Sequence, residues 1–340
     1  MSTLTNSTKL TKKDFATDQE VRWCPGCGDY AILSATQQTF ASLGIPKEKF
    51  VVVSGIGCAS RFPYYMNVYG FHTVHGRAPA IATGIKVTNP DLSVWIVSGD
   101  GDALSIGGNH LIHLMRRNLD VQLLLFDNRI YGLTKGQYSP TSEMGKKTKS
   151  SPFGSVDRPF NPVSLALGAG ATFVARSVDV FTPHLKGTLT EAHEHRGTSF
   201  VHIYQNCNIF NDGAFSSFRE KALRDDNTLL LEHGQPLVFG KNKDRGIRLD
   251  SSYRPQAVQL GNGVTEQELV VHDEAGPIGY LAMLAELQPP DFPTPIGVFR
   301  RVSAPTFDAG MRDQIEEVTR NKGQGDLLAA LTRGTTWTIE

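Results

Sequence analysis

The chain has 340 residues, with 34 Lys and Arg balanced by 34 Asp and Glu, 40% apolar residues, 33 glycines and four cysteines. A neutral balance excludes a nucleic-acid binder held by a global positive field and an acidic disordered tail, and four cysteines are too few for a disulfide scaffold. A chain of this length buries a sizeable core unaided and suggests about two domains, or one domain with a large annex.

The neutrality hides an asymmetry. Residues 1–170 carry 17 Lys and Arg against 12 Asp and Glu, whereas residues 171–340 carry 17 against 22. Sampling noise and a basic docking face in the first half are both consistent with that split. The opening MSTLTNSTKLTKKDF is polar and has no apolar h-region, so residues 1–22 read as an N-terminal arm, not a secretory signal. No apolar run approaches the ~18 residues that span a bilayer. The expectation is a cytoplasmic protein with no membrane or nucleic-acid partner. Clustered cysteines in that compartment bind metal or do redox work more often than they pair.

In chain order, the first predicted element is a helix over Tyr30–Leu43, opened by Asp29 as a cap and closed by Gly44 and Pro46. A strand-then-helix rhythm then runs from residue 50 to residue 206. Its strands are Phe50–Ser54, Phe71–Val74, Ser93–Val97, Val121–Phe126, Ala171–Ala175 and Ser199–Tyr204. Between them lie helical patterns at Ala78–Val87, Ile106–Arg117 and Phe181–His195. Near-continuous apolar strands alternating with helices predict a doubly wound α/β fold with a mostly parallel sheet. One segment breaks the rhythm: Ser139–Pro162 holds four prolines, with Lys146, Lys147, Lys149 and Arg158. A loop that long is expected to be a functional lid or docking loop. After Cys207 the pattern turns irregular, with a hairpin-like Pro236–Leu249 and a strand–helix pair around ELVVHDEAGPIGYLAMLAEL. The expected organisation is therefore an arm (1–22), a cofactor domain (23–207) and a C-terminal extension (208–340) packed on that domain or on a partner.

The cysteines form a spaced set: Cys24 and Cys27 in WCPGCG, Cys58 in GIGC and Cys207 in YQNCN. A CxxC pair lets two soft thiolates face one metal. Cys58 and Cys207 each follow a predicted strand, at the rim where open α/β sheets place their sites. Buried apolar cysteine is the bland alternative for those two, although neither sits in a hydrophobic run. Three site readings remain open on the cysteines alone: a thioredoxin-like redox pair, a structural zinc site and a four-thiolate iron–sulfur cluster. The redox pair lacks a preceding buried strand, and the zinc site lacks a second CxxC or HxxxH.

A second constellation carries more information. Strand SVWIV runs into Ser98-Gly99-Asp100-Gly101-Asp102 and a helix, and 28 residues after Asp100 comes Asn128, in Asp127-Asn128-Arg129-Ile130-Tyr131-Gly132. A hard cation such as Mg²⁺ takes oxygens from a carboxylate, an amide or backbone carbonyl, and substrate phosphates. Asp100, the Asn128 side-chain oxygen and the Ile130 carbonyl offer that set at one sheet edge. Helix-start NH groups and small glycines suit a diphosphate there. A dinucleotide fingerprint at Gly55–Ser60 fails for want of its third glycine and its acid. An EF-hand fails because Leu104 stands where an oxygen ligand belongs.

GDGD followed by NxxYG resembles the diphosphate motif of thiamine diphosphate enzymes. Together with WCPGCG, GIGC, HGRAPAIATGIK and IYGLTKGQYSPTS, it resembles the beta subunits of 2-oxoacid:ferredoxin oxidoreductases, most closely the 2-oxoglutarate type, from about Trp23 to Asp212. The resemblance implies a sheet domain of the thiamine-diphosphate-binding (pyrophosphate-domain) type. It implies one 4Fe–4S cluster on Cys24, Cys27, Cys58 and Cys207, and Mg²⁺ with thiamine diphosphate on Asp100, Asn128 and Ile130. Ile56, Gly57, Cys58, Ala59, His75, Gly99, Gly101, Asp102, Gly132 and Leu133 would line the cofactor. His75 would contact the diphosphate or move a proton, and Arg61 would clamp a substrate carboxylate, favouring a diacid over pyruvate. The implied reaction is oxidative decarboxylation of a 2-oxoacid to acyl-coenzyme A and CO₂, with electrons leaving through the cluster to ferredoxin. The chain holds only half of a thiamine site, so an alpha subunit is expected as an obligate partner, in an assembly of two alpha–beta pairs. Lys135, Lys146, Lys147, Lys149 and Arg158 would form a basic dock for acidic ferredoxin or coenzyme A phosphates. The rivals are the same chemistry on pyruvate or another 2-oxoacid, a non-redox thiamine enzyme subunit, and a zinc-stabilised binding module.

Overall fold

In the computed structural model, which describes residues 10–334 and 336–339, the apolar runs become neighbouring strands of one eight-stranded sheet. In chain order they are β1 (Phe50–Ser54), β2 (Tyr69–His72), β3 (Ser93–Gly99), β4 (Gln122–Asp127), β5 (Phe173–Val178), β6 (Ser199–Tyr204) and β7 (Thr228–Leu231). A small antiparallel sheet of β8 (Val238–Phe239), β9 (Arg245–Leu249) and β10 (Pro255–Gln259) follows, before β11 (Thr294–Arg301) returns to the main sheet. The spatial order is β2-β1-β3-β4-β6-β5-β11-β7, and every neighbouring pair is parallel except β11 on β5.

Helices α1 (Asp29–Ser42), α2 (Ala78–Thr88), α3 (Gly108–Arg117), α4 (Pro162–Gly168) and α5 (Thr182–Glu194) connect or precede these strands. Beyond them come the short α6 (Ser216–Arg219) and α7 (Arg224–Asn227), then α8 (Ile278–Glu286), α9 (Phe307–Lys322) and α10 (Leu327–Thr332). The two-residue period of the strands divides the apolar side chains between two cores. Val51, Ile96, Leu123 and Phe200 face Leu111 of α3 and Leu284 of α8. Phe50, Trp95 and Val201 face Phe40 of α1 and Leu189 of α5. β1, β4, β5 and β6 are buried at every position, which is why they read as continuous apolar runs.

The structure corrects several local expectations. Asp29 is the first helical residue and Gly28 holds the cap position, so Asp29 does not cap α1. The helix expected over Ile106–Arg117 starts two residues later, as α3 at Gly108, and the chain before it, Asp102–Ile106, forms a π turn with Ser105 at φ −98°, ψ −107°. The strand expected near Val271 is reduced to a single bridge with Pro236, whereas the Pro236–Leu249 hairpin and the helix that follows are present. The stretch after residue 207 does more than pack on the sheet, because β7 and β11 belong to it. Among the described residues, no helix is long and apolar enough to cross a membrane.

Candidate functional site

Register brings the acidic residues together. Gly99 of β3 pairs with Phe126 of β4, so Asp100 and Asp127 leave the sheet side by side at its C-terminal edge. Both are buried, 3% and 1% exposed. Asp100 Oδ2 accepts the hydroxyls of Ser139 (2.5 Å) and Thr141 (2.6 Å), and Thr141 Oγ1 also lies 2.8 Å from Asp127 Oδ1. Burial and the neighbouring Asp127 push the Asp100 carboxyl above the usual carboxylate range. Burial would raise Asp127 as well, but the His202 hydrogen bond and charge reverse that and hold it low. Burial in turn drives His202 down to about 4. Two crowded carboxylates are a place a cation would relieve.

The oxygens beside them fit a hard cation. Asn128 Nδ2 donates to Gln205 Oε1 (2.8 Å), and its Oδ1 accepts from the Ile130 amide (3.1 Å). The turn is pinned by Asn211 Nδ2 on the Asn128 carbonyl (2.9 Å). Asp100, Asn128 and Ile130 are thus carried on adjacent strand ends. Ser139, Thr141, Asp127 and His202 were missed from the sequence. The signal for two of them was present in the SPTS that opens the long loop, where hydroxyl residues sit among prolines.

Asp102, expected to line the cofactor, ties several segments together. Its Oδ1 accepts the amides of Ile56 (3.1 Å) and Gly76 (2.8 Å) and faces His75 Nδ1 (2.5 Å), while Oδ2 accepts the Ser98 hydroxyl (2.5 Å). The carboxylate therefore joins the loop after β1 to the turn before α2. Gly55 permits this, since a Cβ there would lie 1.9 Å from Asp102 Oδ2. His75, held through Nδ1 and 41% exposed, keeps Nε2 for another partner. Gly101 is pressed on Tyr131, whose ring would stand 2.2 Å from an added Cβ and whose hydroxyl donates to the Gly101 carbonyl (2.9 Å).

The four thiols gather on the same side. Measured from the Cβ that Gly132 lacks, Cys58 Sγ is 3.5 Å away and Cys207 Sγ 3.6 Å, so both converge on the YG turn. Gln205 Nε2 donates to Cys27 Sγ (3.3 Å), and Trp23 Nε1 donates to the Cys58 carbonyl (2.7 Å), drawing the CPGC arm onto the GIGC loop. Cys24 is exposed and the other three are half-buried, all unpaired. Burial and the nearby Asp29 push Cys27 up strongly and Cys58 to about 12. Asp29 is itself raised to about 7 by burial, then by Asp179. Thiolates here need a soft cation to form, as cluster ligands do. Among the described residues, no three His, Cys, Asp or Glu side chains close on one metal ion.

A cleft of about 380 Å³ opens next to these groups, lined by Ile56, Gly57, Arg61 and Leu133 together with Glu20 and Arg22. Arg61 is thus brought beside three residues predicted to line the cofactor. The loop lysines divide. Lys135, Lys147, Lys149 and Arg158 are exposed, but Lys146 is turned onto Glu143 (3.0 Å) and Asn211, so it is not a free member of a basic dock.

A parallel sheet with a buried acid–amide edge and helix-start glycines defines a thiamine-diphosphate-binding domain. Residues 55–203 match the thiamine pyrophosphate enzyme, C-terminal TPP binding domain family. The chain is 50% identical to the 2-oxoglutarate oxidoreductase subunit KorB of Mycobacterium tuberculosis over 333 residues, 96% of this chain and 88% of that protein. It is 48% identical to the beta subunit of 2-oxoacid:ferredoxin oxidoreductase 1 of Aeropyrum pernix over 207 residues, 60% of this chain and 65% of that one. Among solved structures, a 2-oxoglutarate:ferredoxin oxidoreductase from Magnetococcus marinus matches at TM-score 0.75 and 33% identity, covering 96% of this chain and 97% of that chain. The chain belongs to the beta subunits of the 2-oxoacid:ferredoxin oxidoreductases. It is an oxidoreductase subunit that works with a partner subunit, and the zinc-module and non-redox alternatives are set aside.

Proposed function

We propose that this chain is the thiamine- and cluster-bearing subunit of a coenzyme A-acylating enzyme that converts 2-oxoglutarate to succinyl-coenzyme A and CO₂ and delivers electrons to ferredoxin. The Mycobacterium relative is named for 2-oxoglutarate, and the Magnetococcus structure holds 2-oxoglutarate, coenzyme A and succinyl-coenzyme A, which supports the substrate. One observation carries the reading. A single loop presents Ile56 and Gly57 to the cleft, Cys58 to the thiol group and Arg61 to the cleft again. Substrate side and electron exit are therefore adjacent.

Bound thiamine diphosphate supplies the nucleophilic carbon and the electron sink for decarboxylation. Asp100, Asn128 and the Ile130 carbonyl hold its Mg²⁺. Ile56 to Ala59, Gly99, Gly101, Gly132 and Leu133 surround it, and Asp102 fixes the two loops that do so. His75 offers Nε2 to the diphosphate end, with its orientation set by Asp102. Arg61 pairs with a substrate carboxylate by two parallel hydrogen bonds. Cys24, Cys27, Cys58 and Cys207 would ligate a 4Fe–4S cluster that passes electrons to ferredoxin, and Cys24 is the exposed thiol of the set. The alpha subunit completes the thiamine site, in an assembly of two alpha–beta pairs.

The test is metal and activity analysis of the alpha–beta enzyme purified without oxygen. About four irons and four sulfides per beta chain are expected; stoichiometric zinc without iron would overturn the cluster. Arg61→Ala should raise KM for 2-oxoglutarate more than for pyruvate. Turnover by the beta chain alone would refute the partner requirement.

A further inference from the structure

We infer that Arg176, His202, Asp127 and Thr141 form a positioning relay that orients Asp100 for its divalent cation and anchors that site to strand β11. The inference rests on the cation reading above and adds residues to it. The relay crosses the sheet at right angles to its strands. Arg176 of β5 and His202 of β6 are register partners, and His202 reaches Asp127 at the end of β4. All four side chains are buried.

The direction of each hydrogen bond follows from chemistry. A guanidinium has only donors and does not deprotonate in proteins. Arg176 Nε donates to His202 Nδ1 (3.1 Å), so Nδ1 is the acceptor and the ring proton sits on Nε2. Nε2–H then donates to Asp127 Oδ2 (2.8 Å), and the Arg129 amide donates to Asp127 Oδ1 (3.2 Å). Thr141 Oγ1 stands between the two carboxylates, 2.6 Å from Asp100 Oδ2 and 2.8 Å from Asp127 Oδ1, so placing Asp127 also places the hydroxyl that Asp100 meets. The Ser139 hydroxyl reaches Asp100 Oδ2 at 2.5 Å. Asp100 Oδ2 is therefore held between two hydroxyls, which fixes the carboxylate that would meet a cation.

At the far end, Arg176 Nη1 donates to the Pro295 carbonyl of β11 (3.3 Å), and its guanidinium lies 5.1 Å from the Phe299 ring centroid and 5.5 Å from that of Tyr204. No carboxylate pairs with Arg176 within 4.0 Å among the described residues. A buried guanidinium with no acid beside it, held by His202, the Pro295 carbonyl and Asn161 Oδ1 (3.5 Å), is a poor choice for stability alone. It suits a requirement that His202 present one tautomer only.

The experiment is a Mg²⁺ titration of thiamine diphosphate binding to the assembled alpha–beta enzyme, read by intrinsic tryptophan fluorescence. His202→Leu should raise the half-saturating Mg²⁺ by ~10–100-fold, the usual range for groups that orient a metal ligand. Activity should return when Mg²⁺ is raised, and iron content should stay at the wild-type value. His202→Gln, which can accept from Arg176 and donate to Asp127, should restore the requirement to within about three-fold. Thr141→Val keeps side-chain shape and removes one hydroxyl, so it serves if the leucine variant does not fold, and it too should raise the requirement. A folded His202→Leu or Thr141→Val with wild-type Mg²⁺ dependence overturns the relay. Wild-type enzyme that binds thiamine diphosphate without any Mg²⁺ dependence instead overturns the cation reading beneath it.

Discussion

The carboxylate end and the thiol group of the site are built on opposite plans. Asp100 is buried and already accepts two hydroxyls, with its neighbour Asp127 held by His202. The cysteines are half-buried or exposed, sit on loops, and are organised by a Trp and a Gln side chain acting at the margin. Mg²⁺ demands near-ideal octahedral oxygen geometry and gives up its water reluctantly, so it is served by oxygens already held in place. A cluster with four covalent thiolates brings its own organising energy, so its ligands can remain on loops until it arrives. On the proposed reading, the difference teaches that the fold would prepare its cation site in advance and leave the cluster site to be completed by its occupant.

A pair of variants breaks this comparison if it is wrong. Cys58→Ser should abolish iron binding and ferredoxin reduction while leaving Mg²⁺-dependent thiamine diphosphate binding within a few-fold of wild type. Asp100→Asn should do the reverse, weakening thiamine diphosphate binding by about 100-fold, the upper end seen for groups around a metal, with iron retained. Loss of both cofactors in both variants would show one cooperative site.

A smaller effect probes the buttress behind the carboxylates. His272 is buried beneath β11, with Nδ1 2.9 Å from the Tyr280 hydroxyl and Nε2 2.8 Å from the Val298 carbonyl oxygen. Burial holds its pKa below the ordinary 6.5. The unfolded chain then takes up the proton more readily than the folded one, so this contribution is complete above pH 6.5 and is lost as pH falls below it. Stability should fall as pH drops from ~7.5 to ~5.5, read as a lower melting temperature. His272→Gln should flatten that slope in thermal melts.

The smallest effect belongs to the surface. Reversing Lys135, Lys147 and Lys149 to Glu should slow ferredoxin reduction roughly three- to ten-fold at low salt, with the difference fading at high salt. Reversing Lys146 in place of Lys135 should instead disturb the loop through Glu143 and Asn211.

The sheet was legible where burial was complete: β1 and β6 occupy the same residues in sequence and structure, because an unbroken apolar run in this context has one use. The sequence also carried the acid–amide pair, which follows two strands at a fixed spacing, and the cysteine set, as a CxxC pair and two thiols just after strands. β11 was illegible. Its TPIGVFRR contains Pro and Gly, and it joins β5 antiparallel with a register shift between Val298 and Arg300, a pairing that no local pattern announces. The π turn at Asp102–Ile106 was hidden too, because the Leu111, Leu114 and Met115 stripe continues the helical pattern behind it. The role of Asp102 depends on Ile56, His75 and Gly76, 26 to 46 residues away, so its neighbours in sequence gave no sign of it.

The long loop has a consequence for how such an enzyme diversifies. Its root is closed where the Phe160 amide donates to the Pro140 carbonyl (2.8 Å), next to the buried Ser139 and Thr141. Farther out, Gly145 and Ser155 pair their backbones (2.8 Å), and Phe153 and Val156 lie open to solvent. The excursion between residues 144 and 157 is therefore a cassette clipped at its neck. Changes in its length or sequence would leave the hydroxyls that meet Asp100 outside the altered stretch.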